Sequence, residues 1–326
     1  MTAAMENDPP SNQPSNAPND QPNKPPNDRP GKPPNGRPGA SDNQAALDDL
    51  VALLDLEAIE VNLFRGRSPD ENRQRVFGGQ VAGQALVAAA RTIDERSRLV
   101  HSLHAYFLRP GDPTVPILYE VDRIRDGRSF STRRVVAIQH GRAIFNLQAS
   151  FHDDEPGHDH QLPMPEGMGN PLDLPDFHTR MAPFAEQIGD WYHRPRPIDL
   201  RYVDGDPTSR RGQSTTRQHV WLRADGVLPD DPVLHACVVT YASDMTLLDT
   251  TLLPFGLDWD TAGMQMASVD HAMWFHRPFR ADEWLLYAQS AVSTSSARGM
   301  AQGTIYTADG RLAVSVVQEG LTRLTS

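Results

Sequence analysis

Residues 234–248 read Leu234-His235-Ala236-Cys237-Val238-Val239-Thr240-Tyr241-Ala242-Ser243-Asp244-Met245-Thr246-Leu247-Leu248. Up to Ser243 almost every side chain is apolar or small, so the spacing predicts a helix buried on nearly all sides rather than an amphipathic one. Asp244 stands near its end with no basic neighbour in sequence. An ionised carboxylate in such surroundings is costly unless its oxygens accept hydrogen bonds. Two polar side chains in later apolar strands, Ser268 and Gln318, are placed to supply them.

Working outward, Pro229-Asp230-Asp231-Pro232 is a helix start. Downstream, Met266 to Phe275, Glu283 to Val292, Arg298 to Thr307 and Leu312 to Leu321 read as strands, with Ala308-Asp309-Gly310 as the last hairpin turn. Upstream, Arg217 to Arg223 is a strand. The earlier half has the same texture. Leu47, Leu50, Val51, Leu53, Leu54 and Leu56 recur at helical spacing, and Leu63-Phe64-Arg65-Gly66 begins a strand. Phe77-Gly78-Gly79-Gln80 then leads into a helix over Val81 to Ile93. Its small residues let a sheet wrap tightly around it. Four strands follow over His101 to Leu108, Ile117 to Ile124, Ser129 to Gln139 and Ala143 to Phe151.

The two halves repeat. Phe107-Leu108-Arg109-Pro110 returns as Phe275-His276-Arg277-Pro278, 168 positions on. Ser131-Thr132-Arg133 parallels Ser296-Ala297-Arg298 after 165, Gly141-Arg142 returns as Gly310-Arg311 after 169, and Gln148 falls opposite Gln318 after 170. Offsets this steady point to a duplicated helix-plus-sheet module. The expected domains are a Pro/Asn-rich disordered tail over 1–44, a first module over 45–152, a linker over 153–215 and a second module over 216–326. The linker is expected to hold one helix near Phe184 to Tyr192.

Composition sets limits. The tail carries eleven prolines by position 38 and no apolar side chain that could offset the entropy of ordering. A net charge of −11 argues against a nucleic-acid binder. No apolar run is long enough for a membrane span or a signal peptide, so a cytoplasmic protein is expected. The single cysteine, Cys237, rules out an intramolecular disulfide and reads as a packed thiol. His152, His158 and His160 lie in an acidic loop that fixes no metal geometry. There is no Gly-x-Ser-x-Gly elbow and no His-Glu-x-x-His motif.

The architecture expected is α+β, a double hotdog of two antiparallel sheets, each around a central helix. At this point the sequence resembles the TesB-type acyl-CoA thioesterase II family. The resemblance rests on Val76-Phe77-Gly78-Gly79-Gln80-Val81, on His104 with Phe107 through Asp112, on Tyr241-Ala242-Ser243-Asp244, on Asp270 through Pro278, and on Val317-Gln318-Glu319-Gly320. It implies hydrolysis of fatty acyl-CoA by a water held between Asp244, Ser268 and Gln318, without a covalent intermediate, a metal or a cofactor. Relatives often carry Thr at the hydroxyl position; Ser keeps the hydroxyl but loses the methyl that stiffens χ1. The resemblance also implies a homo-oligomer, a dimer or tetramer of double hotdogs.

Those residue types suit the chemistry. Asp244 can orient water and take its proton, and a hydroxyl and an amide each offer both a donor and an acceptor. The first-half helix reads Ala88-Ala89-Ala90 where the second has its acid, so one site per chain is expected. Gly79, His101 and His104 are the candidate substrate-binding residues, the histidines weighed equally as pocket wall or core. Arg133, Arg134, Arg210 and Arg211 are weaker candidates for CoA phosphates. An Asp ending a buried helix can also be purely structural. Two other functions fit the fold: a non-catalytic acyl-CoA binder or sensor, and a hotdog enoyl-CoA hydratase. Release of free CoA without change in acyl unsaturation separates all three.

Overall fold

A computed structural model describes residues 37–69, 75–94, 98–205 and 207–325, so the expectation for residues 1–36 lies outside it. The first half runs through helix α1 (Ala40–Leu54), strands β1 (Glu57–Glu60) and β2 (Leu63–Gly66), helix α2 (Gly78–Ala90), and strands β3 (Leu99–Phe107), β4 (Ile117–Asp126), β5 (Phe130–Gln139) and β6 (Arg142–His152). Two short helices, α3 (Phe177–Met181) and α4 (Ala185–Ile188), precede β7 (Ile198–Tyr202) and β8 (Arg217–Ala224). Helix α5 (Pro232–Ser243) and a 3-10 segment (Leu248–Phe255) come next. The chain closes with β9 (Met264–Ser268), β10 (Asp270–Phe275), β11 (Leu285–Ser295), β12 (Arg298–Thr307) and β13 (Leu312–Leu324).

Helices α2 and α5 have no polar face. Gly79 through Ala89 are buried in α2, and His235 through Thr240 with Ala242 and Ser243 in α5. Asp231 caps α5, its carboxylate accepting from the Val233 amide at 2.9 Å, and Pro232 occupies the first turn, where no amide is needed. The helices pack on each other through their smallest residues. A Cβ on Gly79 would stand 2.3 Å from the Tyr241 carbonyl oxygen, and one on Gly83 3.3 Å from that of Cys237. Cys237 is fully buried, and burial pushes its thiol far up, as expected of a packed thiol.

One antiparallel sheet wraps this pair, in the order β1-β2-β4-β5-β6-β3-β10-β13-β12-β11-β8-β7, with β9 beside β13. The order is mirrored about β3 and β10, which join the halves with Ala272 opposite His104 and Trp274 opposite Ser102. This is the double hotdog expected from the repeat. No helix among the described residues is long and apolar enough to cross a membrane.

Four details differ from the sequence reading. Helix α1 starts at Ala40, inside the stretch assigned to the tail, and Asn43 donates to Asp225 at 2.7 Å. The segment after β6 contributes strand β7, paired to β8, where no strand was expected because the stretch is rich in Pro, Asp and His. Phe184 to Tyr192 is not one helix but the short α4 between 3-10 turns. Finally, Met266 to Phe275 is broken at Val269. There the amide donates to Glu319 of β13 while the carbonyl accepts from Phe107 of β3, so the chain changes partner strands.

Candidate active site

Asp244 is the C-cap of α5, at φ −84° and ψ −2°. The break at Val269 leaves Ser268 at the end of β9, opposite Gly320, two residues beyond Gln318 on β13. The three polar side chains therefore meet. Gln318 Nε2 donates to Asp244 Oδ1 at 2.6 Å and to Ser268 Oγ at 3.0 Å, and Ser268 Oγ donates to Asp244 Oδ1 at 3.3 Å. A flipped Gln318 amide would set its oxygen against the carboxylate, so the –NH₂ must face the acid. Its carbonyl oxygen is buried with no partner among the described residues.

The fourth wall is the N-terminus of α2. The Gly79 amide donates to Asp244, and a Cβ on Gly78 would stand 2.6 Å from Asp244 Oδ2. First-turn amides have no intrahelical acceptor, and the helix dipole is positive there. Burial pushes the Asp244 carboxyl up to about 6; hydrogen bonds from Gln318, Ser268 and Gly79 oppose it without cancelling it. The acid is thus ionised near neutrality and basic enough to accept a proton.

Three further groups were not singled out from sequence. His271 faces inward, and its Nε2 lies 2.9 Å from Ser243 Oγ, the residue before the acid. Burial alone holds His271 down at about 4, so it is neutral. Asp249, in the 3-10 segment, is pushed up to about 7 by burial, then by the charges of Asp244 and Asp258. Gly78 is the third. A polar residue in an apolar run was the available signal for His271 and Asp249.

His101 and His104 are not brought to this cluster. His104 is exposed on the outer sheet face with its ring edge-on to Trp274, and His101 packs against Phe130 and His152. Arg133 cannot meet a phosphate: it is fully buried and bonds Thr92 Oγ1, Thr92 O and Asp126. Arg134 pairs with Asp122, Arg210 with Gln218 and Arg211 with Asp258. No group of three or more metal-ligating side chains occurs among the described residues.

Gln148 does not occupy the position of Gln318. Arg133 and Leu103 pair with Ala149, as Ala301 pairs with Gln318, so inward-facing Ala149 is the counterpart. Gln148 points outward and is exposed. Gln148→Ala should therefore leave thiol release unchanged, whereas Ser268→Thr should stay within a few-fold of the parent rate because the hydroxyl is kept on a stiffer rotamer. A tenfold loss in either, measured against a medium-chain acyl-CoA, would contradict this geometry.

The chain matches the family model described as "Acyl-CoA thioesterase" over residues 199–321, and that of the "Acyl-CoA thioesterase N-terminal domain" over residues 67–152. It is 40% identical over 287 residues to human acyl-coenzyme A thioesterase 8, covering 84% of this chain and 89% of that one. With acyl-CoA thioesterase 2 of Haemophilus influenzae it shares 38% over 283 residues, covering 86% and 98%. The crystal structure of an acyl-CoA thioesterase II, TesB2, from Mycobacterium marinum matches with a TM-score of 0.71 at 45% identity, covering 85% of this chain and 99% of that one. Likeness of this extent, running through both halves of the sheet, means that the chain belongs to the acyl-CoA thioesterase family.

Proposed function

We propose that the protein hydrolyses fatty acyl-CoA to fatty acid and CoA by direct attack of a water held by Asp244, Ser268 and Gln318. The observation that carries this is the contact of all three side chains, at 2.6, 3.0 and 3.3 Å, beside the α2 N-terminus. Asp244 takes a proton as the water oxygen bonds to the thioester carbonyl carbon. Ser268 and Gln318 orient that water. The carbonyl oxygen, gaining charge, faces the first-turn amides of α2 at Gly78, where no Cβ blocks its approach. Collapse breaks the carbon–sulfur bond, and the proton held by Asp244 goes to the departing thiolate. No protein atom becomes acylated.

A hydratase needs an acid–base histidine at the acyl chain. His271 is buried with its Nε2 committed to Ser243, the residue before the acid, which favours hydrolysis. The experiment is release of free thiol from acyl-CoA with the product acid checked for unchanged saturation.

The pH profile follows from the raised carboxyl. Only ionised Asp244 can accept the proton, so kcat/KM should climb through about 6 and level off above it. A rate that stays flat between about pH 5 and about pH 8 would remove Asp244 as the base.

A further inference from the structure

A cleft of about 890 Å³ opens between α1, the segment around α3 to β7, and the C-terminal turn of α5. That volume is in the range of small-molecule sites. Tyr241 and Met245, one helical turn before Asp244 and one residue after it, are among its lining. The Tyr241 ring also meets Phe77, the N-cap of α2, edge-on with centroids 5.1 Å apart. Tyr241 thus links the cleft to both elements that build the reaction centre.

Its outer wall is cationic. Seven arginines and five aspartates line it, a local positive excess on a chain of net charge −11. Three of the aspartates are engaged: Asp176 with Arg37, Asp199 with Arg201, and Asp225 with Arg223 and Asn43. Arg67 is exposed and its guanidinium has no hydrogen bond or ion pair among the described residues. Its backbone is nonetheless fixed, the carbonyl accepting from Gln80 and Gln84, both buried in α2, at 3.0 Å each. Across the cleft the Arg196 guanidinium lies on the Phe177 ring at 3.4 Å and on the Trp191 ring at 4.0 Å. Trp191 remains 41% exposed.

A rigidly based guanidinium with no partner among the described residues, sharing one cleft with an aromatic–guanidinium stack and with Tyr241 and Met245 on either side of the acid in sequence, fits a nucleotide with an extended tail. Guanidinium forks match phosphate oxygens, and flat rings take a base by stacking. We propose that this cleft binds the 3′-phosphorylated adenosine diphosphate half of CoA. The phosphates lie at Arg67, the adenine at Trp191 and Arg196, and the pantetheine arm passes over Tyr241 and Met245 to Asp244. The proposal rests on the thioesterase reading of the preceding subsection.

The test compares Arg67→Glu and Trp191→Ala with the parent on two thioesters of one fatty acid, acyl-CoA and acyl-pantetheine, the latter lacking the nucleotide. CoA affinity is measured separately by calorimetry, and melting curves exclude unfolding. Expected for Arg67→Glu is a rise in KM for acyl-CoA about tenfold greater than that for acyl-pantetheine, and CoA binding weakened by about the same factor. Trp191→Ala should move the same two quantities in the same direction. Equal changes on both thioesters, or CoA affinity unmoved in both variants, would overturn the assignment while leaving hydrolysis at Asp244 standing. CoA binding that Arg67→Glu weakens, in a parent that releases no thiol, would keep the cleft and sink the thioesterase reading.

Discussion

Asp244→Asn should lower thiol release by about a hundredfold or more while the fold stays intact. The amide has the shape and reach of the carboxylate, so the contacts with Gln318 and Ser268 can re-form, but the basicity is gone. A hundredfold is the usual scale for losing a positioned base. Stability supplies an independent check. The folded carboxyl sits at about 6, above its ordinary value of 3.8, because burial penalises the charged form. Its contribution to stability is therefore fully present below the unfolded value and lost as pH rises through about 6. At neutral pH the ionised group is a cost, so Asp244→Asn should melt at the same temperature as the parent or higher. That advantage should shrink below about pH 4, where the parent carboxyl is protonated in both states. A well-folded Asp244→Asn turning over at the parent rate would make Asp244 structural and end the proposed mechanism.

Gly79→Ala should damage both stability and turnover. The added carbon would stand 2.3 Å from the Tyr241 carbonyl oxygen and 2.6 Å from Phe77 Cε1. The first of these is backbone, so relief requires α2 to move off α5. Overpacking of this kind costs about 1–3 kcal/mol, outweighing the ~1 kcal/mol that Ala gains over Gly inside a helix. The displacement also withdraws the Gly79 amide from Asp244, so turnover should fall with stability, by about tenfold or more. Gly83→Ala is the control on the same helix. Its nearest neighbour is the flexible Leu54 side chain at 3.0 Å, with the Cys237 carbonyl at 3.3 Å, so the helix gain should nearly balance the crowding. Thermal melts and thiol release on both variants decide it. A Gly79→Ala protein that melts and turns over like Gly83→Ala would show that the two helices are not held backbone to backbone.

Much of this was legible in the chain. Unbroken runs of small and apolar residues identify α2 and α5, because only a helix enclosed on all sides dispenses with a polar face. The repeat of Phe107-Leu108-Arg109-Pro110 identifies the second module, and a lone Asp ending a buried helix, with Ser268 and Gln318 in apolar strands, identifies the cluster. What the sequence could not fix is which face of a strand each side chain takes. Neighbouring residues point to opposite faces, so an offset that is wrong by one turns an inward residue outward. Strands β5 and β6 join through His140-Gly141, whereas β12 and β13 join through Ala308-Asp309-Gly310, one residue longer. That extra residue raises the offset between the halves from 168 before the turn to 169 after it, so matching Gln148 with Gln318 by identity, at 170, counts one residue too many, and the ladder sets Ala149 there instead. For the same reason His104 faces outward while His271 faces the acid's helix. Tertiary structure alone also decided that Gly78 and Gly79, far from Asp244 in sequence, form its fourth wall, and that Arg67 and Trp191 share a cleft. Such contacts depend on how two helices and a curved sheet close on each other, and no local pattern of residues encodes that distance.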